Sequence, residues 1–134
     1  MINTVDEALK YALDRSCEKL MYRRELPPKQ MVIPRFIVYD VYDPPKDIDL
    51  LNYRLKVTGL VGNKVEIPYV ELLTKAPCVD LITDFHCVTG WSVLNVTWRG
   101  LPTKYIIDMA KPRGDYVMAV GIEGYKTKLS LIKI

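Results

Sequence analysis

The sequence has few of the residues from which many protein sites are built. It contains one histidine and three cysteines, Cys17, Cys78 and Cys87. No Cys-x-x-Cys pair occurs, and the spacing of the cysteines and the histidine matches no zinc motif, so the sequence does not favour a zinc site. A chain of this size needs no disulfides to fold, and we expect reduced thiols throughout.

Long apolar runs and a strong net charge are also lacking. No stretch approaches the about 20 apolar residues that span a bilayer. The net charge of +3 gives no argument for a nucleic-acid partner, although it suits an anionic ligand. Arg23 and Arg24 are followed by Glu25 rather than by an apolar segment, which does not fit a twin-arginine export signal. We therefore expect a cytoplasmic protein without a membrane span.

What the sequence has is the composition of an ordinary globular protein. Its 134 residues are 49% hydrophobic and 26% charged, with no low-complexity run, internal repeat or linker. A chain of this length buries about two thirds of its unfolded surface, which is enough for one core. We expect a single folded domain with a short extension.

The extension is predicted to be helical. Thr4 and Glu7 have the spacing of a capping box. Apolar residues follow at three- and four-residue intervals until a Pro-Pro pair ends the pattern. Cys17 lies on the apolar face, so we expect it to be a buried core thiol. Residues 1–30 are thus predicted to form an N-terminal helical extension.

Residues 31–134 carry the patterns of short strands and short helices, which predict a mainly β domain of the α+β class. The predicted strands are 53–58, 64–67, 78–86, 92–98, 115–120 and 125–134, and the predicted helices are 68–73 and 102–110. Residues 31–41 are predicted to form an edge strand or an irregular extended segment, because Pro34 interrupts them.

The residues that bear chemistry are concentrated in the stretch 83–100. It holds the histidine, His86, both tryptophans and Cys87. Cys87 follows an apolar strand and precedes Gly90, and glycine lets a chain turn tightly and approach a ligand closely. A thiolate in such a turn can lie at the mouth of a pocket. Cys87 is therefore the principal candidate site residue.

The same stretch resembles a known family. Residues 86–92, His-Cys-Val-Thr-Gly-Trp-Ser, followed by Trp-x-Gly-x-Pro at 98–102, resemble the molybdopterin-binding domain of the sulfite oxidase family, which includes the molybdenum methionine-sulfoxide reductases. The resemblance covers residues 31–131. It implies a sulfite-oxidase-type fold, a molybdopterin cofactor and Cys87 as the thiolate ligand of the molybdenum. It also implies two-electron oxygen-atom transfer to or from sulfite, a sulfoxide or another small oxyanion.

Other cofactor contacts are implied by the resemblance and by position. Tyr39 and Asp40 resemble a tyrosine-acid pair that contacts the pterin in the methionine-sulfoxide reductase branch, although Phe36 stands where that branch has asparagine. Thr89 is predicted to contact the cofactor or to bond its own turn. His86 either donates to a pterin or phosphate oxygen or caps a hydrogen-bond network in the core.

Three neighbouring side chains have simpler interpretations. Trp91 and Trp98 are expected to anchor the core rather than to contact the cofactor. Arg99 either pairs with an anionic substrate or is solvated.

The end of the chain leaves the function open. Family domains continue past the pair matched here by Gly124 and Tyr125, with an active-site tyrosine and a basic segment that binds the pterin phosphate, and neither precedes Ile134. Two outcomes are therefore open for the molybdopterin cofactor: the domain binds it, or the short C-terminus leaves the domain without it. The alternative is a cofactor-free relative that serves as a structural or interaction module, and a third interpretation is a thiol-redox protein using Cys87 alone. An uncovered sheet edge would favour a homo-oligomer.

Overall fold

The computed structural model describes residues 2–39 and 42–133. The chain forms two compact units, one from residues 1–15, 40–77 and 101–134, the other from residues 16–39 and 78–100. Strands outnumber helices in the described residues, which confirms the prediction of a mainly β, α+β fold with short helices. The predicted boundary between residues 30 and 31 stays a prediction.

The elements, in chain order, are α1 Val5–Asp14, β1 Glu18–Tyr22, β2 Met31–Val32, β3 Arg54–Val57, β4 Val65–Pro68, α2 Tyr69–Thr74, β5 Val79–His86, β6 Trp91–Gly100, α3 Thr103–Ala110, β7 Tyr116–Val120, β8 Lys126–Ser130 and a 3-10 helix Leu131–Lys133.

The first unit contains all the α-helices and two antiparallel hairpins, β3–β4 and β7–β8. Val65 and Ile67 are buried on one face of β4, while Glu66 between them is exposed, as strand alternation requires. The two buried side chains form a cluster with Ile106 and Ala110 of α3. The core of this unit is therefore a helix packed on a hairpin.

Helix α1 begins where the sequence predicts. The Thr4 hydroxyl accepts a hydrogen bond from the Glu7 amide at 3.2 Å, and the Glu7 carboxylate accepts from the Asn3 amide at 2.8 Å. The carboxylate thus reaches one residue further back than the usual capping box. The helix ends at Asp14.

The prediction that this helix continues to the Pro-Pro pair is wrong. Residues Glu18–Tyr22 form β1, which pairs in parallel with β5 from Glu18 opposite Val79 to Tyr22 opposite Thr83. Leu20 is 44% exposed and Met21 62% exposed, so they do not line a buried helical face. Hydrogen bonding to β5 decides the conformation, because local propensity is weak beside pairing with a neighbouring strand.

The second unit is a four-stranded sheet with the order β1-β5-β6-β2. β5 and β6 form an antiparallel hairpin, with His86 opposite Ser92 and Phe85 opposite Val93. β1 lies parallel to β5 and β2 parallel to β6. A long central hairpin is thus flanked on both edges by strands from residues 16–39.

A disulfide joins Cys17 to Cys78, with their Cα atoms 5.1 Å apart. The expectations that Cys17 is a buried core thiol and that all thiols are reduced are therefore wrong, and both cysteines are half-buried. The parallel register explains the pairing, because Glu18 lies opposite Val79 and the residues before them become neighbours. Among the described residues, Cys87 alone keeps a free thiol.

The disulfide predicts a thiol count and a stability change. Unfolded protein should react through one thiol without reductant and through three with it. Replacing Cys17 and Cys78 together by serine should lower the free energy of unfolding by up to about 4 kcal/mol, because the bond closes a loop with a sequence separation of 61. Denaturant titration measures the change. The matched control is Cys87→Ser, which should remove the reactive thiol without this loss, and three reactive thiols in unreduced protein would contradict the pairing.

Candidate functional site

The hairpin between β5 and β6 presents Cys87 at its turn. The Cys87 amide donates to the Trp91 carbonyl at 2.9 Å, and the Gly90 amide donates to the Cys87 carbonyl at 3.1 Å. These bonds enclose a three-residue loop in which Gly90 has a φ of +100°. Three-residue hairpin loops place glycine at such a left-handed position, where other side chains are strained. The Val-Thr-Gly sequence thereby fixes the backbone around the cysteine.

A chain of hydroxyl groups reaches the sulfur of Cys87. Thr89 Oγ1 lies 3.1 Å from Cys87 Sγ, and the Tyr39 hydroxyl lies 3.4 Å from Thr89 Oγ1. The Trp91 indole N–H donates to the Tyr39 oxygen at 3.3 Å. The indole N–H can only donate a hydrogen bond, so the Tyr39 oxygen accepts it. The Tyr39 hydroxyl can then donate to Thr89, and the Thr89 hydroxyl can donate to Sγ of Cys87.

These contacts favour the thiolate. The Thr89 hydroxyl holds the pKa of the Cys87 thiol below its usual range, since the thiolate accepts this hydrogen bond more strongly than the thiol does. The backbone amides of Thr89 and Val88 lower the pKa further, and partial desolvation opposes them. The half-exposed sulfur therefore combines access with stabilised negative charge.

A second hydrogen-bond chain reaches the carbonyl of Cys87. The Gln30 side-chain amide donates to this carbonyl at 3.2 Å, and its own oxygen accepts from the Ser92 hydroxyl at 2.8 Å. The Ser92 oxygen lies 2.8 Å from His86 Nδ1. Ser92 is completely buried, so these contacts satisfy a hydroxyl that would be costly to leave alone.

The two chains lie on opposite faces of the hairpin. Phe85 and Trp91 have ring centroids 5.7 Å apart on one face, and the alternating residues His86 and Ser92 are joined on the other. The sulfur of Cys87 is connected to the Trp91 face through Tyr39 and Thr89.

The structure brings together three of the five predicted site residues. Cys87, Thr89 and Tyr39 are linked by hydrogen bonds, whereas His86 is bonded to Ser92 on the opposite face. Asp40, the fifth, lies outside the described residues. The position of His86 supports the interpretation that it belongs to a hydrogen-bond network.

Two residues of the site were not predicted from the sequence. Gln30 was missed because its contact with Cys87 spans 57 residues, and a single glutamine beside a short strand carries no local signal. Ser92 was not singled out as a site residue. Ser92 lies opposite His86 in the hairpin, so strand alternation puts both side chains on the same face. This pairing is a signal that could have identified Ser92.

Aromatic rings cluster on the face of the hairpin that carries Trp91. Phe36 lies 5.0 Å from Phe85, 6.1 Å from Trp91 and 6.2 Å from Trp98 between ring centroids. Trp91 is 5% exposed, as a core anchor should be, but Trp98 is 43% exposed, so the prediction of a core position is wrong for Trp98. Trp98 lies beyond the part of β6 that β2 covers, since β2 pairs only with Trp91 and Ser92.

Arg99 is exposed on the sheet and is paired with a carboxylate. Its guanidinium makes two hydrogen bonds to the Asp80 carboxylate, at 2.6 Å and 2.7 Å, across β5 and β6. The guanidinium in turn holds the pKa of the Asp80 carboxyl below its usual range. Asp80 therefore occupies the guanidinium group that would otherwise have been available to an anionic substrate.

Comparison with known proteins assigns the chain to a family. Residues 41–134 match the family model described as the oxidoreductase molybdopterin binding domain, and this range contains Cys87. The chain belongs to that family. Gln30 and Tyr39 precede the matched range of this molybdopterin-binding domain.

Two relatives of this molybdopterin-binding domain are named oxidoreductases or reductase subunits. The domain is 34% identical over 108 residues to the uncharacterized oxidoreductase YuiH of Bacillus subtilis (strain 168), covering 79% of this chain and 54% of that protein. It is 35% identical over 77 residues to YedZ1 of Azospira oryzae, named a putative protein-methionine-sulfoxide reductase subunit, covering 56% of this chain and 29% of that protein. The chain thus spans about half the length of YuiH and a smaller share, 29%, of YedZ1.

Removal of the Thr89 hydroxyl should weaken the thiolate of this molybdopterin-binding domain. In Thr89→Ala we expect a higher pKa of the Cys87 thiol and slower alkylation near neutral pH, because the largest contribution to the lowered pKa is lost. The pH dependence of iodoacetamide alkylation of metal-free protein measures both. Thr89→Ser, which keeps a hydroxyl, should retain most of the lowered pKa. Equal profiles for the alanine variant and the parent would show that Thr89 does not act on the sulfur.

Proposed function

We propose that this domain binds a molybdopterin cofactor, that the Cys87 thiolate is the protein ligand of its molybdenum, and that the assembly catalyses two-electron oxygen-atom transfer. Family membership supports a molybdopterin-binding oxidoreductase domain. The observation that carries the more specific proposal is the Cys87 sulfur, a free and half-exposed thiol with a lowered pKa in a glycine-dependent turn.

The chemistry around Cys87 fits such a ligand. A metal-bound thiol is deprotonated, and the Thr89 hydroxyl 3.1 Å from Sγ stabilises that form before any metal arrives. A soft thiolate is also a suitable partner for a metal that already carries the sulfur ligands of its pterin. No group of three or more His, Cys, Asp or Glu side chains is placed to hold a metal within residues 2–39 and 42–133. The proposal requires only one protein ligand.

The bound cofactor would supply the redox chemistry, and the residues of this chain would bind and orient. Thr89 stabilises the ionised form of the sulfur, and Tyr39 orients Thr89 while accepting from Trp91. Thr89 and Tyr39 are thereby proposed as cofactor contacts on the face of the thiol. Asp40 stays a predicted contact outside the described residues.

His86 is the weakest of the proposed cofactor contacts. Its Nδ1 is engaged with Ser92, and its side chain lies on the face opposite the aromatic rings. Nδ1 is taken up by Ser92, so within the described residues a cofactor group could hydrogen-bond to the ring only at Nε2.

A small anion or a sulfoxide is the proposed substrate. The name of YedZ1 refers to protein methionine sulfoxide, and this chain covers 29% of that protein, so its substrate is carried over only as a proposal. Sulfite and related oxyanions are the alternative, which the net charge of +3 would suit.

The compartment is best inferred from the disulfide. No helix within the described ranges is long and apolar enough to cross a membrane. The cytoplasmic location stays a prediction, and the Cys17–Cys78 bond counts against it, because disulfides persist mainly in oxidising compartments.

A homo-oligomer also stays a prediction. β1 is an edge strand in the sheet of the second unit, and all five of its residues are exposed. Edge strands with free backbone groups are common sites of pairing between chains. Sedimentation at increasing protein concentration would detect the association, and a constant monomer mass would exclude it over that range.

Replacement of the ligand should remove the metal and keep the fold. In a host that makes the cofactor, we expect near-stoichiometric molybdenum in the parent and none in Cys87→Ser, with the thermal unfolding midpoint little changed because Cys87 lies in a half-exposed turn. Elemental analysis and calorimetry measure the two quantities. Val88→Ala, at a neighbour that is 99% exposed, is the matched control and should bind like the parent.

Three outcomes would count against parts of this proposal. Equal molybdenum in the parent and Cys87→Ser would assign the metal to another ligand. Unfolding of Cys87→Ser would make Cys87 a structural residue. Metal-free parent protein from the competent host would favour the cofactor-free interaction module.

A further inference from the structure

We propose that Gln30 is a positioning residue for Cys87, and that it also fixes the tautomer of His86. The Gln30 amide lies between the Cys87 carbonyl and the Ser92 hydroxyl, and Ser92 connects it to His86. The role at Cys87 rests on the proposed function, in which Cys87 is a metal ligand whose backbone must be held in place. The hydrogen-bond pattern itself does not depend on any metal.

The orientation of the Gln30 amide follows from its partners. A backbone carbonyl can only accept hydrogen bonds, so the group 3.2 Å from the Cys87 oxygen must be the NH₂ of Gln30. The amide oxygen of Gln30 then faces Ser92 Oγ at 2.8 Å. That oxygen can only accept, so the hydroxyl of Ser92 must donate to it.

The tautomer of His86 follows in turn. A serine hydroxyl has one hydrogen, and in Ser92 this hydrogen is used by Gln30. The contact of 2.8 Å between Ser92 Oγ and His86 Nδ1 can then be a hydrogen bond only if Nδ1 carries the proton. In the neutral imidazole Nε2 is therefore the unprotonated nitrogen, which accepts rather than donates.

All the donors in this chain point toward Cys87. The sequence runs from His86 Nδ1–H to Ser92, from the Ser92 hydroxyl to Gln30, and from the Gln30 NH₂ to the Cys87 carbonyl. Aligned hydrogen bonds polarise and strengthen one another. The serine in the middle of the chain of bonds is completely buried.

The backbone beside Gln30 reinforces the same turn. The Met31 amide donates to the Gly90 carbonyl at 2.8 Å, and the Ile33 amide donates to the Ser92 carbonyl at 2.9 Å. Strand β2 thus holds the start of β6 by its backbone while the Gln30 side chain holds Cys87. Groups in this outer position orient metal ligands and commonly change metal affinity by about 10- to 100-fold when they are replaced.

The test uses nitrogen NMR on metal-free, folded protein. Because the chain has one histidine, its two ring nitrogens give a single pair of signals. In alkaline buffer, where an imidazole is neutral, we expect Nδ1 of the parent to be protonated and Nε2 to be unprotonated. A parent ring protonated mainly at Nε2 would overturn the proposed donor order, whether or not the protein binds molybdenum.

Two substitutions separate the two roles of Gln30. In Gln30→Met no acceptor remains for Ser92, whose hydroxyl can then donate to Nδ1, so we expect the ring to shift toward the Nε2–H tautomer. In Gln30→Glu the carboxylate still accepts from Ser92 and the parent tautomer should persist. Glutamate has no donor for the Cys87 carbonyl, so exchange of the Gly90 and Cys87 backbone amides should accelerate by about threefold to tenfold in both variants. Met31→Leu, at an exposed neighbour, is the control and should leave both readouts unchanged.

The outcomes distinguish positioning from general stability. A parent-like tautomer in Gln30→Met, or loss of the parent tautomer in Gln30→Glu, would refute the control of His86 by Gln30. Unchanged amide exchange in Gln30→Glu would refute the support of the Cys87 turn. If the NMR results hold and the parent binds no molybdenum, the geometry stands and the proposed function fails.

Discussion

The left-handed conformation of Gly90 is the constraint on which the rest of the site depends. Its φ of +100° closes a three-residue loop and sets the register in which His86 faces Ser92 and Cys87 pairs with Trp91. A slip of one residue would move every following side chain to the other face of the sheet. The hydroxyl chain to the sulfur and the amide chain to the carbonyl would then both be lost. The site is therefore built on backbone geometry first and on side-chain chemistry second.

Elements with local signals could be predicted from the sequence to within a few residues. The strand ending at His86, the strand after Gly90 and helix α3 follow from alternation, glycine and proline, which act over a few residues. β1 could not be predicted in this way. Its apolar residues fit a helix as well as a strand, and only contact with β5, about 60 residues further along the chain, selects the strand. The same contact explains why Cys17 was not recognised as one half of a disulfide.

The residues of the candidate site also divide into those that a local sequence signal marks and those that only distant contacts bring into place. Cys87 and Thr89 are two residues apart, so their contact is encoded in one short motif. Tyr39 came from a family resemblance, and Gln30 has neither a motif nor a periodic pattern to mark it. Phe36, at the position where the resemblance implies an asparagine, packs its ring on Phe85 and two tryptophans.

The two kinds of sulfur in this domain are kept apart by strand β5. The disulfide lies just before its first residue and the Cys87 thiol just after its last, and at about 3.3 Å per residue the eight-residue strand separates them by about 30 Å. Thiol–disulfide exchange requires direct attack of a thiolate on a disulfide sulfur. Within the folded sheet, the activated thiolate therefore cannot shuffle the bond that holds β1 in place. A reactive cysteine and a structural disulfide can coexist in one small unit because a rigid strand sets the distance between them.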